Sequence, residues 1–458
     1  MYDRVLERAH LHARHFLTTI DRRHVGTKAT REGLTAALGG PLGEDPADPA
    51  DVIDRLVTNG DAGIVADAGP RYFGFVTGGA HPAAVAAEWL LSTWDQNAAL
   101  YVMSPAAAVI EDIAAGWVLD VLGLPAQASV GFVTGAHMAN VTALAAARHE
   151  VLRRAGWDVE SDGLQGAPRV HVVVGAEAHV SIFAALRLVG FGVTTIRRAA
   201  ADAQGRMDPT SLAAELRQCT GPTIVCAQAG HVGTGAFDPF VPIAAAAREH
   251  GAWLHVDGAF GLWAAASPVT RRLTAGVEQA DSWATDAHKW LNVPYDCGIV
   301  MCAHSGAHRA AMSQRASYLI RGSDEQRNGM DWVPESSRRA RGVPVYATMR
   351  ALGRRGIAHL VERCCALATR MAERLRGEPG VKVLNEVVLN QVLVRFGDRT
   401  AAVIGRVQDE GVCWLGGTTW DGHDAMRVSV SSWRTAEDDI DRSADSIIRA
   451  WRAEQVRA

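Results

Sequence analysis

The stretch ADSWATDAHKWLNVPYDCG, residues 280–298, decides the fold. It leaves Lys289 in a loop between two buried strands, the second GIVMC at 298–302, with His288 and Trp290 on either side. Of the 46 Lys and Arg residues in the chain, only Lys28, Lys289 and Lys382 are lysine. A solvated positive charge is served by either residue type. A Schiff base at ordinary pH needs an amine, because a guanidinium stays protonated. The plain alternative for Lys289, a surface salt-bridge lysine, would predict Arg in this chain, so composition alone singles Lys289 out, whereas Lys28 and Lys382 carry no functional content.

Working outward, the same texture repeats. VHVVV (170–174), TIVCA (223–227) and AWLHVD (252–257) are short apolar runs separated by helical stretches. Continuous apolar strands between helices specify an α/β fold with a mainly parallel sheet covered on both faces, and such sheets bind ligands at the carboxyl ends of their strands. Residues 1–70 read as helices joined by GGPLGEDPADPAD (39–51), an N-terminal helical segment. Val109, Ile110, Ile113, Trp117 and Val121 recur at helical spacing after Pro105 and predict a helix buried on that stripe. Beyond about 340, Leu360, Val361, Cys364, Leu367, Met371 and Leu375 mark one face of a long helix, with VKVLN, QVLVRF and AMRVSVS as strands and a helix starting from a Thr435/Asp438 box. The expected division is 1–70, a large α/β domain over 71–335, and a small C-terminal α+β domain over 336–458.

Composition removes whole classes of function. At 458 residues, 48% hydrophobic and 21% charged, the chain has the makings of a large core. None of the three lysines stands in a Gly-Lys-Ser/Thr context, which excludes a P-loop nucleotidase. A formal charge of -4 and arginines scattered without a basic block argue against nucleic acid as a partner. The charged start and the lack of an eighteen-residue apolar run predict neither a signal peptide nor a membrane span, hence a cytoplasmic protein. Seven cysteines without a C-x-x-C suit a reducing compartment, and neither H-E-x-x-H nor G-x-S-x-G occurs, so no metal is expected and a serine hydrolase lacks support. His10, His12 and His15 do not share a helical face and read as a solvated helix.

Three further segments carry possible chemistry. In LHVDGAF (254–260), Asp257 closes an apolar strand; it is either a turn carboxylate or the partner of a cationic ring nitrogen. In GFVTGAHMAN (131–140), Gly135, Ala136 and His137 open a helix whose free N–H groups can meet a phosphate. In GAEAHVS (175–181), His179 follows a strand and is unremarkable by itself.

Together, in order and spacing, these four segments resemble the group II pyridoxal-phosphate-dependent amino acid decarboxylases, which include the aromatic amino acid, histidine and glutamate enzymes. The likeness extends through SPAAAVIEDIAAGWVLDVLGLP (104–125), SRRARGVPVYATMRALGRRG (337–356) and AMRVSVSSWRTAEDDID (425–441), spanning about 70–445. It implies a fold-type I architecture, pyridoxal 5′-phosphate (PLP) as cofactor, an amino acid as substrate and a homodimer with the active site at the interface. It implies that Lys289 forms the Schiff base with the cofactor, that Asp257 pairs the pyridine nitrogen with Ala259 beside it, and that His179 stacks on the ring. Gly135, Ala136, His137 and His288 are implied as further cofactor contacts. Tyr318, in RASYLIRG, matches the loop tyrosine that protonates the substrate carbon, and Arg427 matches the arginine that binds the substrate α-carboxylate.

Three departures stand out: Ala136 and His137 where small or hydroxyl residues are usual, Asp286 where Asn commonly precedes H-K-W, and His231 where Gly-Thr is commoner. The expected reaction is decarboxylation of an L-amino acid to its amine. An aminotransferase, a carbon–carbon lyase or a decarboxylating aldehyde synthase shares the scaffold, and a PLP-binding protein without turnover is a further alternative. Tyr72, Phe73 and Trp94 are either aromatic walls of the substrate site or packed core.

Overall fold

The computed structural model describes residues 2–314 and 326–456. The chain begins with α1 (Tyr2–Thr19), α2 (Arg31–Leu38) and α3 (Pro49–Gly60), followed by α4 (Pro82–Trp94) and α5 (Pro105–Leu122). Then come β1 (Ser129–Val133), α6 (Ala136–Arg154), the short α7 (Val159–Asp162), β2 (His171–Gly175), α8 (Val180–Leu188), β3 (Arg197–Ala199), α9 (Pro209–Leu216), β4 (Thr223–Gln228), α10 (Phe240–Glu249), β5 (Trp253–Asp257), β6 (Ser282–Asp286), β7 (Gly298–Cys302) and α11 (Ser305–Met312). The C-terminal part holds α12 (Gly342–Arg376), β8 (Lys382–Val383), β9 (Gln391–Arg395), α13 (Thr400–Glu410), β10 (Gly416–Trp420), β11 (His423–Ser429) and α14 (Glu437–Gln455).

Seven strands form one sheet in the order β1-β7-β6-β5-β4-β2-β3. Its pairs are parallel except those made by β7, which runs against both β6 and β1. The central strands β4 to β7 are buried along their whole length, as expected for strands with helices on both faces. A second, antiparallel sheet, β10-β11-β9-β8, packs against α12 and α13. The stripe Leu360 to Leu375 of α12 is buried throughout, Cys364 included. At Gly353 (φ 60, ψ 177) the long helix breaks in two, a conformation glycine adopts without a Cβ clash.

The expected stripe on α5 is corrected. The buried face consists of Ala107, Ala108, Glu111, Ala114, Ala115, Val118, Leu119 and Leu122, whereas Val109 and Ile113 are 46% and 39% exposed. Small residues let α5 lie close against α12 and leave Val109 and Ile113 outside, while Ile110, Trp117 and Val121 are half-buried and pack against the core. The C-terminal helix also starts later than expected. Thr435 Oγ1 donates to Pro70 O at 2.7 Å, and Asp439 accepts the Ala436 N–H at 3.1 Å, so the carboxylate cap sits one residue beyond the expected box.

The N-terminal helices hold one another through ion pairs, Arg4 with Asp48 at 2.9 Å and Arg8 and His12 with Asp54 at 2.8 and 2.7 Å. No residue of α1 is buried. Thus His12 is a tether between α1 and α3, not only a solvated residue, and His10 meets the edge of Trp89.

Candidate active site

Strand β6 ends at Asp286, and Lys289 follows in a tight loop whose close packing begins with Gly78. A Cβ at Gly78 would stand 1.7 Å from the Lys289 carbonyl oxygen, so glycine is needed for that approach. Lys289 Nζ points back to Asp286 Oδ2 at 3.0 Å. His288 Nε2 lies 3.4 Å from Asp286 Oδ1, and its own Nδ1 accepts the Cys297 N–H at 3.2 Å. Burial holds His288 below the usual imidazole range, opposed by Asp286.

A cavity of about 250 Å³ opens over the carboxyl ends of β4, β5 and β6 and the start of α6. Lys289, His288, Asp257 and Ala259 line one side of it. His179, from the N-terminus of α8, and Gly135, Ala136 and His137, from the N-terminus of α6, line the other. The structure therefore brings together eight of the expected site residues. Arg427, on β11, is not among the lining residues, though its charge helps to lower the pKa of His179 and His231. Tyr318 lies outside the described residues. Phe73 is packed core at 1% exposed, Tyr72 stacks on Trp414 with ring centroids 4.9 Å apart, and Trp94 is half exposed. A larger groove of about 650 Å³, between α5 and α12, is lined by none of the expected site residues.

Asp257 is almost fully buried, and burial pushes its carboxyl up from the usual range while the charges of His179 and Lys289 pull it down. Its Oδ1 accepts the Ala259 N–H at 3.2 Å, and its Oδ2 accepts from Asn140 Nδ2 at 3.1 Å. The Asn140 link fixes a longer chain of protons. Asn140 Oδ1 is left as an acceptor for His255 Nε2 at 2.9 Å, so His255 carries its proton there. Its Nδ1 must then accept from Ser282 Oγ at 2.9 Å, and that oxygen accepts the Trp253 indole N–H, also at 2.9 Å. Complete burial holds His255 at about 3, hence neutral, as this arrangement requires.

Sequence reasoning missed Asn140, His255 and Gln228 as parts of this assembly, whereas Asp286 already stood out in the sequence as a departure before H-K-W. Gln228 Oε1 accepts the His179 N–H at 3.2 Å and so sets the start of α8. A polar residue inside an apolar strand was the available signal for His255, and a polar residue on the inward face of α6 for Asn140.

Whether the residues fit PLP is a question of donor chemistry. The cavity offers a primary amine, a strand-end carboxylate for a cationic ring nitrogen, and the first turn of α6, where the N–H groups have no intrahelical acceptor. The set fits, with the exception that Asp286 Oδ1 already accepts the Ala136 N–H at 2.5 Å.

Comparison with known proteins agrees. The model of the pyridoxal-dependent decarboxylase conserved domain matches residues 44–396. The chain is 30% identical over 380 residues to L-2,4-diaminobutyrate decarboxylase of Rhizobium meliloti (strain 1021), covering 80% of this chain and 74% of that one. It is 29% identical over 325 residues to the acidic amino acid decarboxylase GADL1 of Mus musculus, covering 69% of this chain and 58% of that one. Among solved structures it is similar to Oryza sativa TDC with PLP and tryptamine, with TM-score 0.92, 23% identity, and 98% and 97% of the two chains covered.

Proposed function

The chain belongs to the pyridoxal-dependent decarboxylase family, its cofactor is pyridoxal 5′-phosphate, and on that premise we propose that it converts an L-amino acid to its amine and carbon dioxide through the residues around Lys289. The observation that carries this reading is the convergence of Lys289, Asp257 and His179 on one cavity at the strand ends.

PLP, when bound, supplies an electron-accepting ring that stabilises the electron pair left on the substrate carbon as carbon dioxide departs. Lys289 would hold the cofactor through Nζ. Asp257 would keep a proton on the ring nitrogen, with Asn140 holding the Asp257 carboxylate in place. His179 packs against the ring, with its Nδ1 fixed by Ser181 Oγ at 2.7 Å. Gly135, Ala136 and His137, in the first turn of α6, would hold the cofactor's phosphate, and His288 and Ala259, which line the same cavity, would be further contacts. Arg427 receives the substrate α-carboxylate from its place on β11. Tyr318 returns a proton to the substrate carbon.

A screen of amino acids for carbon dioxide release tests the reaction and names the substrate. Amine with stoichiometric carbon dioxide supports it; keto acid without carbon dioxide would replace it with transamination, and aldehyde would indicate a decarboxylating oxidation. The relatives named above act on a diamino acid and on acidic amino acids, so the substrate side chain is set by this chain's own walls.

The assembly we propose is a homodimer. Trp89, Leu90 and Trp94 of α4, Val102 and Met103 of the turn that follows, and Val109 and Ile113 of α5 are all between 39% and 57% exposed. Buried Ala87, Leu91 and Ala107 join α4 to α5 in one cluster beneath them. An apolar surface of this extent on neighbouring elements marks an interface. Sedimentation of wild type and of Ile113→Asp checks it: a dimer that dissociates supports the reading. Among the described residues no helix is long and apolar enough to cross a membrane. The cysteines are all free, which suits the reducing cytoplasm. The three-part division at about 70 and 335 remains our proposal for the domains.

A further inference from the structure

Asp286 is held from three sides. Ala136 N–H reaches its Oδ1 at 2.5 Å, Lys289 Nζ reaches Oδ2 at 3.0 Å, and His288 Nε2 stands 3.4 Å from Oδ1. With 2% of its surface exposed, the carboxylate is scarcely screened by water. Gly135 leaves the space beside it open, since a Cβ there would meet His288 Cε1 at 3.2 Å and Asp286 Oδ1 at 3.5 Å. The side chain thus occupies the place at the start of α6 where an anion is best received, between an orphan N–H and an ammonium.

We propose that Asp286 is a built-in competitor for the cofactor's phosphate, holding both the first N–H of α6 and the Lys289 ammonium until the cofactor displaces it. The proposal rests on the PLP reading above and goes beyond it to the control of loading. Two consequences follow from the charges. A phosphate arriving at α6 meets a buried like charge and finds the Ala136 donor in use, while Ala136 and His137 bring no hydroxyl to compensate. Lys289, paired as an ammonium, is not a nucleophile until that pair opens. Weak phosphate binding and slow cofactor attachment therefore have one cause. An asparagine at 286 would keep an oxygen for the Ala136 N–H, remove the like charge and offer a donor where Oδ2 now stands.

The test compares the full chain, stripped of cofactor, as wild type and as Asp286→Asn. Inorganic phosphate affinity is measured by calorimetry, and attachment of PLP by the growth of its visible absorption. The expected result is phosphate bound about 10- to 100-fold more tightly by Asp286→Asn, the order of effect that a neighbouring like charge exerts, together with faster PLP attachment. Equal or weaker phosphate binding by Asp286→Asn overturns the proposal. Asp286→Ser removes the charge with a smaller side chain and must also raise phosphate affinity should Asn at 286 disturb folding. Borohydride treatment of wild type at saturating PLP separates the two levels. Failure to trap an adduct overturns the cofactor reading itself, whereas a trapped adduct with unchanged phosphate affinity overturns only the role of Asp286.

Discussion

Asn140 Nδ2 donates to Asp257 Oδ2 at 3.1 Å, and both side chains are buried. Because the Asn140 oxygen is used by His255, the amide cannot flip without facing two donors together and two acceptors together. Asn140→Ala is expected to lower kcat about 10- to 100-fold, the cost found for removing an orienting outer-shell partner, with a smaller change in KM. His255→Gln, which can still donate to Asn140, should lose less than His255→Phe. Steady-state kinetics on the four proteins decides this. Equal losses in Gln and Phe variants would reduce His255 to a space-filling role.

Gly78 and Lys289 give a second expectation. A methyl group at 78 would have to displace the Lys289 carbonyl, 1.7 Å from its ideal position, and the displacement acts on the segment that carries Nζ. Gly78→Ala should therefore lose borohydride-trappable cofactor while keeping its far-ultraviolet circular dichroism. A fully loaded Gly78→Ala enzyme would show that the loop yields without moving the amine.

The large sheet was legible because its strands are apolar on both faces, and GIVMC at 298–302 matches β7 residue for residue. Lys289, Asp257 and His179 were legible as strand-end residues in a familiar order. Two edge strands were not. Both β3, with two arginines in three residues, and β10, which opens with two glycines and is only partly buried, lack an apolar signature. On α5 the period was right but the face was turned: Ile110, Trp117 and Val121 are half-buried against the core, whereas alanines make the closer contact and leave Val109 and Ile113 outside. The network beneath Asp257 was invisible for another reason. Asn140, His255, Ser282 and Trp253 come from three elements, and their spacing in sequence says nothing of the four hydrogen bonds that join them to the carboxylate.

Three histidines buried as neutral groups predict acid sensitivity. Burial pushes His255 to about 3 and His231 and His308 to about 4, against 6.5 for an exposed imidazole. Since the unfolded chain binds protons that the folded chain refuses, the stability these groups allow is complete above pH 6.5 and falls as pH drops toward 4 and 3. Each contributes about 1.4 kcal/mol per pH unit within that window, so roughly 4–6 kcal/mol should be lost between pH 6.5 and 5. Urea unfolding midpoints across this range check the slope. His308→Gln, which preserves a donor toward Trp332 O, should flatten it by about one third; an unchanged slope would remove His308 from the account.

Arg338 and Glu111 supply the last expectation, because their ion pair joins the segment after the undescribed residues to α5. Both side chains are 1% exposed, and the pair is bidentate at 2.8 and 2.9 Å. Arg338 also donates to Ala98 O at 2.9 Å and Phe132 O at 3.2 Å, while Glu111 accepts the Gly342 N–H at 3.3 Å. Removing the arginine leaves a buried carboxylate without its bidentate partner, a change that costs about 3–5 kcal/mol in buried pairs. Removing both charges takes away that penalty, though the Ala98 and Phe132 carbonyls still lose donors. Arg338→Met should therefore be severely destabilised, and the Arg338→Met/Glu111→Leu double variant should recover a large part of the loss in a denaturant titration. A double variant no more stable than Arg338→Met would show that the carbonyl contacts, not the ion pair, hold this segment to β1, the strand that leads into α6.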